Sequence, residues 1–181
     1  MNGKWISVLT VVFLLGLVAF PDRAQAADVS WRDAATGNWN DPANWDSGTV
    51  PGALDNVSIT VGGTYTVTLS EDATVARLTV GAPSGMQTLA IGGRTFTLNG
   101  ASSITSNGVL NFTGGVLTSN GELTVTGILD WRAGTMSGTG KIAVASGGLL
   151  DMTVARGVLP VLIPSASSTT PAEHPAPAAE H

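Results

Sequence analysis

The stretch Gly108-Val109-Leu110-Asn111-Phe112 returns as Gly127-Ile128-Leu129-Asp130-Trp131 and again as Gly148-Leu149-Leu150-Asp151-Met152, its leucines 19 and then 21 residues apart. Leu89-Ala90-Ile91, 21 residues before Leu110, reads as a weaker copy. Between these anchors Gly115-Val116-Leu117-Thr118 matches Gly134-Thr135-Met136-Ser137, and Gly121-Glu122-Leu123-Thr124-Val125 matches Gly140-Lys141-Ile142-Ala143-Val144. A unit this short cannot bury its own apolar face. Stacking each copy on the last one does bury it, so the period predicts coils wound into a solenoid. Leu110, Leu129 and Leu150 then lie over one another, with Phe112, Trp131 and Met152 beside them in an inner column. About 100 residues at ~20 per coil give about five coils, a rod of roughly 24 Å at the ~4.8 Å spacing between strands.

The runs inside each unit alternate at period two, as in Val57-Ser58-Ile59-Thr60-Val61, Tyr65-Thr66-Val67-Thr68-Leu69, Leu78-Thr79-Val80 and Leu123-Thr124-Val125-Thr126. Apolar side chains fall on one face and hydroxyls on the other, as a half-buried strand requires. Asn99-Gly100, Asn107-Gly108 and Asn120-Gly121 signal turns, because both residue types tolerate positive φ. After residue 27 no stretch has helical spacing with a cap and enough length, so the fold class is all-β. An antiparallel sandwich would share the alternation and the turns but gives no reason for anchors at a fixed period.

The N-terminus has a different character. Lys4 precedes an apolar run from Ile6 to Phe20, and Ala24-Gln25-Ala26 is a small-x-small cleavage signal, the order of a secretory leader. The run is short of the ~20 residues a spanning helix needs, and Pro21 follows it at once. Four segments are therefore expected: a signal peptide over 1–26, a Trp-rich N-terminal cap over 27–55, a repeat domain over 56–163, and a disordered Pro/Ala-rich tail over 164–181. Export would end in the periplasm, at the cell surface or outside the cell. No membrane span is expected in the mature chain. Removing the leader changes the formal net charge from −5 to −6, which does nothing to attract a phosphate backbone, so nucleic acid is not an expected partner. Cysteine is absent from the sequence, which removes thiol chemistry, cysteine metal sites and disulfides together.

Trp31, Trp39 and Trp45 stand in the run WRDAATGNWNDPANWDSGTVPGALDNVSI. The pattern Trp31…Gly37-Asn38-Trp39…Asn44-Trp45…Gly48…Pro51…Asp55…Val57 resembles the opening segment of bacterial β-helical surface proteins, including autotransporter passenger domains and repeat-rich adhesins. The downstream GGVLTSNGELTVTGILDWRAGTMSGTGKIAVASGGLL looks like their Gly/Thr-rich coils. A weaker similarity is to the extracellular G8 module. The resemblance implies a short right-handed parallel β-helix used as a surface scaffold or in adhesion, with an extracellular glycan or surface protein as partner. The chain has neither the many coils of a passenger domain nor a C-terminal translocator barrel.

The Trp segment admits two physical readings. As a structural cap, the indoles close the first coil over a core that would otherwise end in water, with Pro51 and Asp55 shaping the turn into the next strand. As a sugar-stacking platform, the indoles would be exposed, with Asn38, Asn44 and Asp46 bonding hydroxyls. The remaining chemistry is sparse. Asn111, Asp130 and Asp151 share one outward register, with carboxylates about 5 Å apart by strand spacing. That separation suits a retaining glycosidase pair or a weak Ca²⁺ site, although a position between buried neighbours is polar by default. Asp41, Asn44 and Asp46 lack the spacing of a calcium loop. His174 and His181 fall in the tail, and neither a nucleophile elbow nor a phosphate loop occurs. No catalytic residue, metal centre or cofactor is therefore expected. The leading expectation is a non-enzymatic exported scaffold. A carbohydrate-binding module comes second, and a polysaccharide lyase or hydrolase working through the acidic ladder third.

Overall fold

The computed structural model describes residues 25–152 and the backbone of a last strand, Val161–Leu162. Residues 1–24 of the expected leader and the expected tail, both histidines included, lie outside the described residues. The chain is an all-β solenoid of about five turns. Every pairing between its named strands is parallel, which removes the sandwich alternative.

Three faces are stacked along it. The first holds Asp28–Ser30, Asn56–Ile59, Arg77–Val80, Ser102–Ile104, Leu123–Val125 and Ile142–Val144. The second runs from Gly37–Asn38 through Tyr65–Leu69 and Gln87–Ile91 to the first halves of the long strands Gly108–Ser119 and Ile128–Ser137, ending at Leu149–Asp151. The third holds Ala73–Val75, Arg94–Leu98, the second halves of the two long strands, and Val161–Leu162. In the long strands the chain turns the corner between faces through an irregularity in register at residues 112–116 instead of breaking. Gly115 makes this corner with φ +85°, and a Cβ there would run into the backbone of Arg94 in the rung below.

The leucine anchors are vertical neighbours. Leu110 pairs in register with Leu129, and Leu129 with Leu150; below them come Leu89 and Val67. Phe112 stands over Ile91 and under Trp131. Met152 is the residue expected next in that column. It lies just past the last strand of the second face and is 45% exposed, because no described rung lies above to cover it. The first face adds two columns of its own, Val29-Val57-Leu78 and Ile59-Val80, continued by Ile104, Val125 and Val144. One continuous buried cluster therefore runs from Val29 to Met136.

The Asn-Gly pairs do mark corners, but not for the reason expected. Gly100, Gly108 and Gly121 do not have positive φ, and no non-glycine residue among those described does. Successive rungs approach so closely at these corners that a Cβ cannot fit. On Gly108 it would overlap the carbonyl of Val80, on Gly127 those of Thr105 and Gly108, and on Gly148 that of Val125. The backbone opposite is itself fixed in the ladder and cannot yield. Gly127→Ala should therefore destabilise the chain by about 1–3 kcal/mol through overpacking. Gly93→Ala, where a Cβ meets open space, should cost only the about 1–2 kcal/mol that its φ of +71° imposes on a side chain. Thermal melts of the two variants separate steric closeness from backbone conformation; equal losses would remove the steric account.

Candidate functional site

The Trp-rich segment is itself the first winding. Asp28–Ser30 pairs with the start of the second rung, Asn56 to Ser58, and Gly37–Asn38 with Val67 and Thr68. Trp31 and Trp45 form an antiparallel bridge, and Pro42–Asn44 makes a short 3-10 turn whose N-cap, Asp41, accepts from the Ala43 amide at 3.0 Å. All three indoles are buried, Trp39 and Trp45 completely. Their rings meet edge to face. Trp31 lies 5.0 Å from Trp45, Trp45 lies 4.8 Å from Trp39, and Trp39 lies 5.3 Å from Phe96 on the third face. Trp45 Nε1 donates to Trp39 O at 2.7 Å and Trp31 Nε1 to Ala35 O at 3.1 Å, whereas the buried Trp39 Nε1 has no hydrogen-bond partner.

The polar residues of the segment bond to the main chain and to other side chains. Asp46 Oδ1 accepts from the Ser30 amide at 2.9 Å, and Asn44 Nδ2 donates to Asn38 O at 2.9 Å. Asn38 Oδ1 accepts from the Asn40 amide and from Ser70 Oγ. Asp55 Oδ2 accepts from the Gly52 amide at 2.8 Å, closing the turn that follows the buried Pro51. Arg32 adds a contact that the sequence did not single out: its guanidinium donates to Trp45 O at 2.6 Å and ties the bridge shut.

The second candidate, the polar ladder, lies in register as expected: Asn111 beside Asp130, and Asp130 beside Asp151. The structure adds Arg132. It stands two residues after Asp130, where the register with the neighbouring strand slips, and its side chain reaches back to the ladder. Its Nε donates to Asp130 Oδ1 and its Nη2 lies 3.5 Å from Asp151 Oδ2, so one guanidinium spans both rungs. The bond to Asp130, helped by the charge of both carboxylates, holds the Arg132 pKa above its ordinary value. Asn111 Oδ1 is buried without a partner. The i,i+2 spacing of Asp130 and Arg132 carried this pairing; the reach to Asp151 needed the register.

Buried polar groups absent from the sequence reading are structural. Gln87 Oε1 accepts from the Ala82 amide at 2.6 Å while its Nε2 donates to Gly63 O and Ser84 O, fastening the corner between Arg77–Val80 and Gln87–Ile91. Ser102 Oγ accepts from the Leu78 amide at 3.0 Å and donates to Gly100 O at 3.1 Å, which lets a serine occupy an inner column. Burial pushes the Tyr65 phenol up from its usual range. No family model, no curated protein and no solved structure matches the chain.

Proposed function

We propose that the protein is an exported, non-enzymatic β-solenoid that acts as a scaffold at the cell surface, in a matrix or in adhesion. One observation carries this reading: the groups with most chemical promise are used in building the rod. The indoles fill the first winding, Asp41, Asp46 and Asp55 hold main-chain amides, and Arg132 spans the two carboxylates of the ladder. The leader-like N-terminus and the likeness to β-helical surface proteins support the same reading. What the rod offers outward is a set of hydroxyl columns. Ser30, Ser58, Thr79, Ser103 and Thr124 succeed one another on the first face, and Thr74, Thr97, Thr118 and Ser137 on the third. Short polar side chains on a rigid repeat suit many weak contacts better than one deep site.

The test is to express the full chain, probe intact cells with an antibody against the folded solenoid, and assay the purified protein on a glycan panel and on polysaccharides. Surface or matrix staining with no polysaccharide turnover is expected. Cytosolic retention would overturn the proposal, as would depolymerisation that is lost in Asp130→Asn. Saturable binding of one glycan by the folded chain would replace the scaffold with a carbohydrate-binding module.

A further inference from the structure

We propose that Asp55 is a built receptor for a new amino terminus at Ala27, created when the leader is removed; this rests on the export reading above. Hydrogen bonds between described residues begin at Ala27. Its amide donates to Asp55 Oδ1 at 3.0 Å and its carbonyl accepts from the Asn56 amide at 2.8 Å, and the parallel pairing starts at the next residue. Gln25 and Ala26 are exposed. The Ala26–Ala27 bond therefore lies in the open, immediately outside the first ordered rung.

Asp55 is held from two sides. Its Oδ2 takes the Gly52 amide at 2.8 Å, and its carbonyl takes the Ala76 amide at 2.9 Å and the Arg77 amide at 3.4 Å. In the unprocessed chain this carboxylate receives only neutral main-chain donors. Hydrolysis of the Ala26–Ala27 bond by an endopeptidase of the export machinery consumes one water. It leaves a carboxylate on Ala26 and an amine on Ala27, which takes up a proton at neutral pH. The atom 3.0 Å from Asp55 thereby changes from a neutral amide to an ammonium, and a neutral hydrogen bond becomes a charge-assisted ion pair without movement. Two other charged residues belong to the elements packed here. Asp28, next in the strand, accepts from Asn56 Nδ2 at 2.8 Å, and Arg77 is in register with Asn56 in the following rung. Processing would thus lock the N-terminal edge of the solenoid.

The sign of the pH effect follows. Pairing raises the folded pKa of the amine above its unfolded value of about 7.7–8.0. The added stability is present below that value and is lost as pH rises through the folded pKa. The experiment expresses the full chain in a bacterium with a general export pathway, reads the terminus of the recovered protein by mass spectrometry, titrates the α-amine by NMR and records Tm against pH. A terminus at Ala27 is expected, with an amine that titrates above the ordinary range and an alkaline loss of Tm; in Asp55→Asn the amine should return to the ordinary range and that loss should vanish. Should Asp55→Asn not fold, a chain retaining Gln25-Ala26 serves instead, and should melt lower at neutral pH. An exported chain with a different terminus, an ordinary amine, or an equal Tm with the two extra residues would overturn the Asp55 proposal alone. A chain keeping Met1 in the cytosol would overturn the export reading instead.

Discussion

Replacing Trp39 by Ala should lower the unfolding free energy by about 3–5 kcal/mol, the range for removing a large buried aromatic side chain. Trp39 is fully buried, and its ring touches Trp45 within its own winding and Phe96 on the third face, so truncation opens a cavity where the N-terminal winding meets the rest of the rod. The two neighbouring indoles are not equivalent to hydrogen bonding, and that supplies a sharper comparison. Trp45→Phe removes the donor to Trp39 O and leaves a buried carbonyl unpaired, adding about 1–3 kcal/mol to the loss of volume. Trp39→Phe removes a donor that has no partner, so it should cost less than Trp45→Phe. Denaturant melts should rank the losses with Trp39→Ala or Trp45→Phe well above Trp39→Phe. A Trp39→Ala protein that keeps its stability while losing glycan binding would contradict the cap and restore the platform.

Why was the solenoid legible and the first winding only partly so? The anchors at 110, 129 and 150 announce themselves because their windings have nearly equal lengths, and each repeats the same inward-outward-inward order. Earlier windings obey the same register with less regular spacing. On the first face the step from Leu78 to Ser102 is lengthened by the corner that Gln87 fastens, and a serine stands where the other rungs have an aliphatic residue. Self-similarity of residue type fades there while the geometry persists. The Trp segment hid its strands because Asp28–Ser30 and Gly37–Asn38 are too short to alternate visibly. The corner glycines show a different limit. The sequence gives their position, but whether glycine serves for a positive φ or for close approach depends on the rung beneath, which no local pattern contains. The polar ladder was legible in register alone; the guanidinium that spans it depends on the direction of one long side chain.

The second large effect concerns how stability is distributed along the rod. Leu129→Ala should cost about 2–5 kcal/mol, because Leu129 is fully buried between Leu110 and Leu150 and the rungs on either side cannot collapse into the space. Leu150→Ala should cost less than half as much, since Leu150 packs against the cluster only in part and has no described rung above it. Val144, Leu149 and Met152, all on the same last winding, are between 42% and 52% exposed. Among the described residues the two ends thus differ: one is closed by three interlocked indoles, while at the other Val144, Leu149 and Met152 and the outer edges of Ile142–Val144 and Leu149–Asp151 have no described rung beside them. In a structure where each rung contacts only its neighbours, stability follows local burial, so fraying should begin at the last described winding. Hydrogen exchange should be slowest at Leu110 and Leu129 and fastest at Val144 and Leu149. Equal losses for Leu129→Ala and Leu150→Ala, together with uniform protection along the rungs, would mean that the far end is covered as tightly as the first.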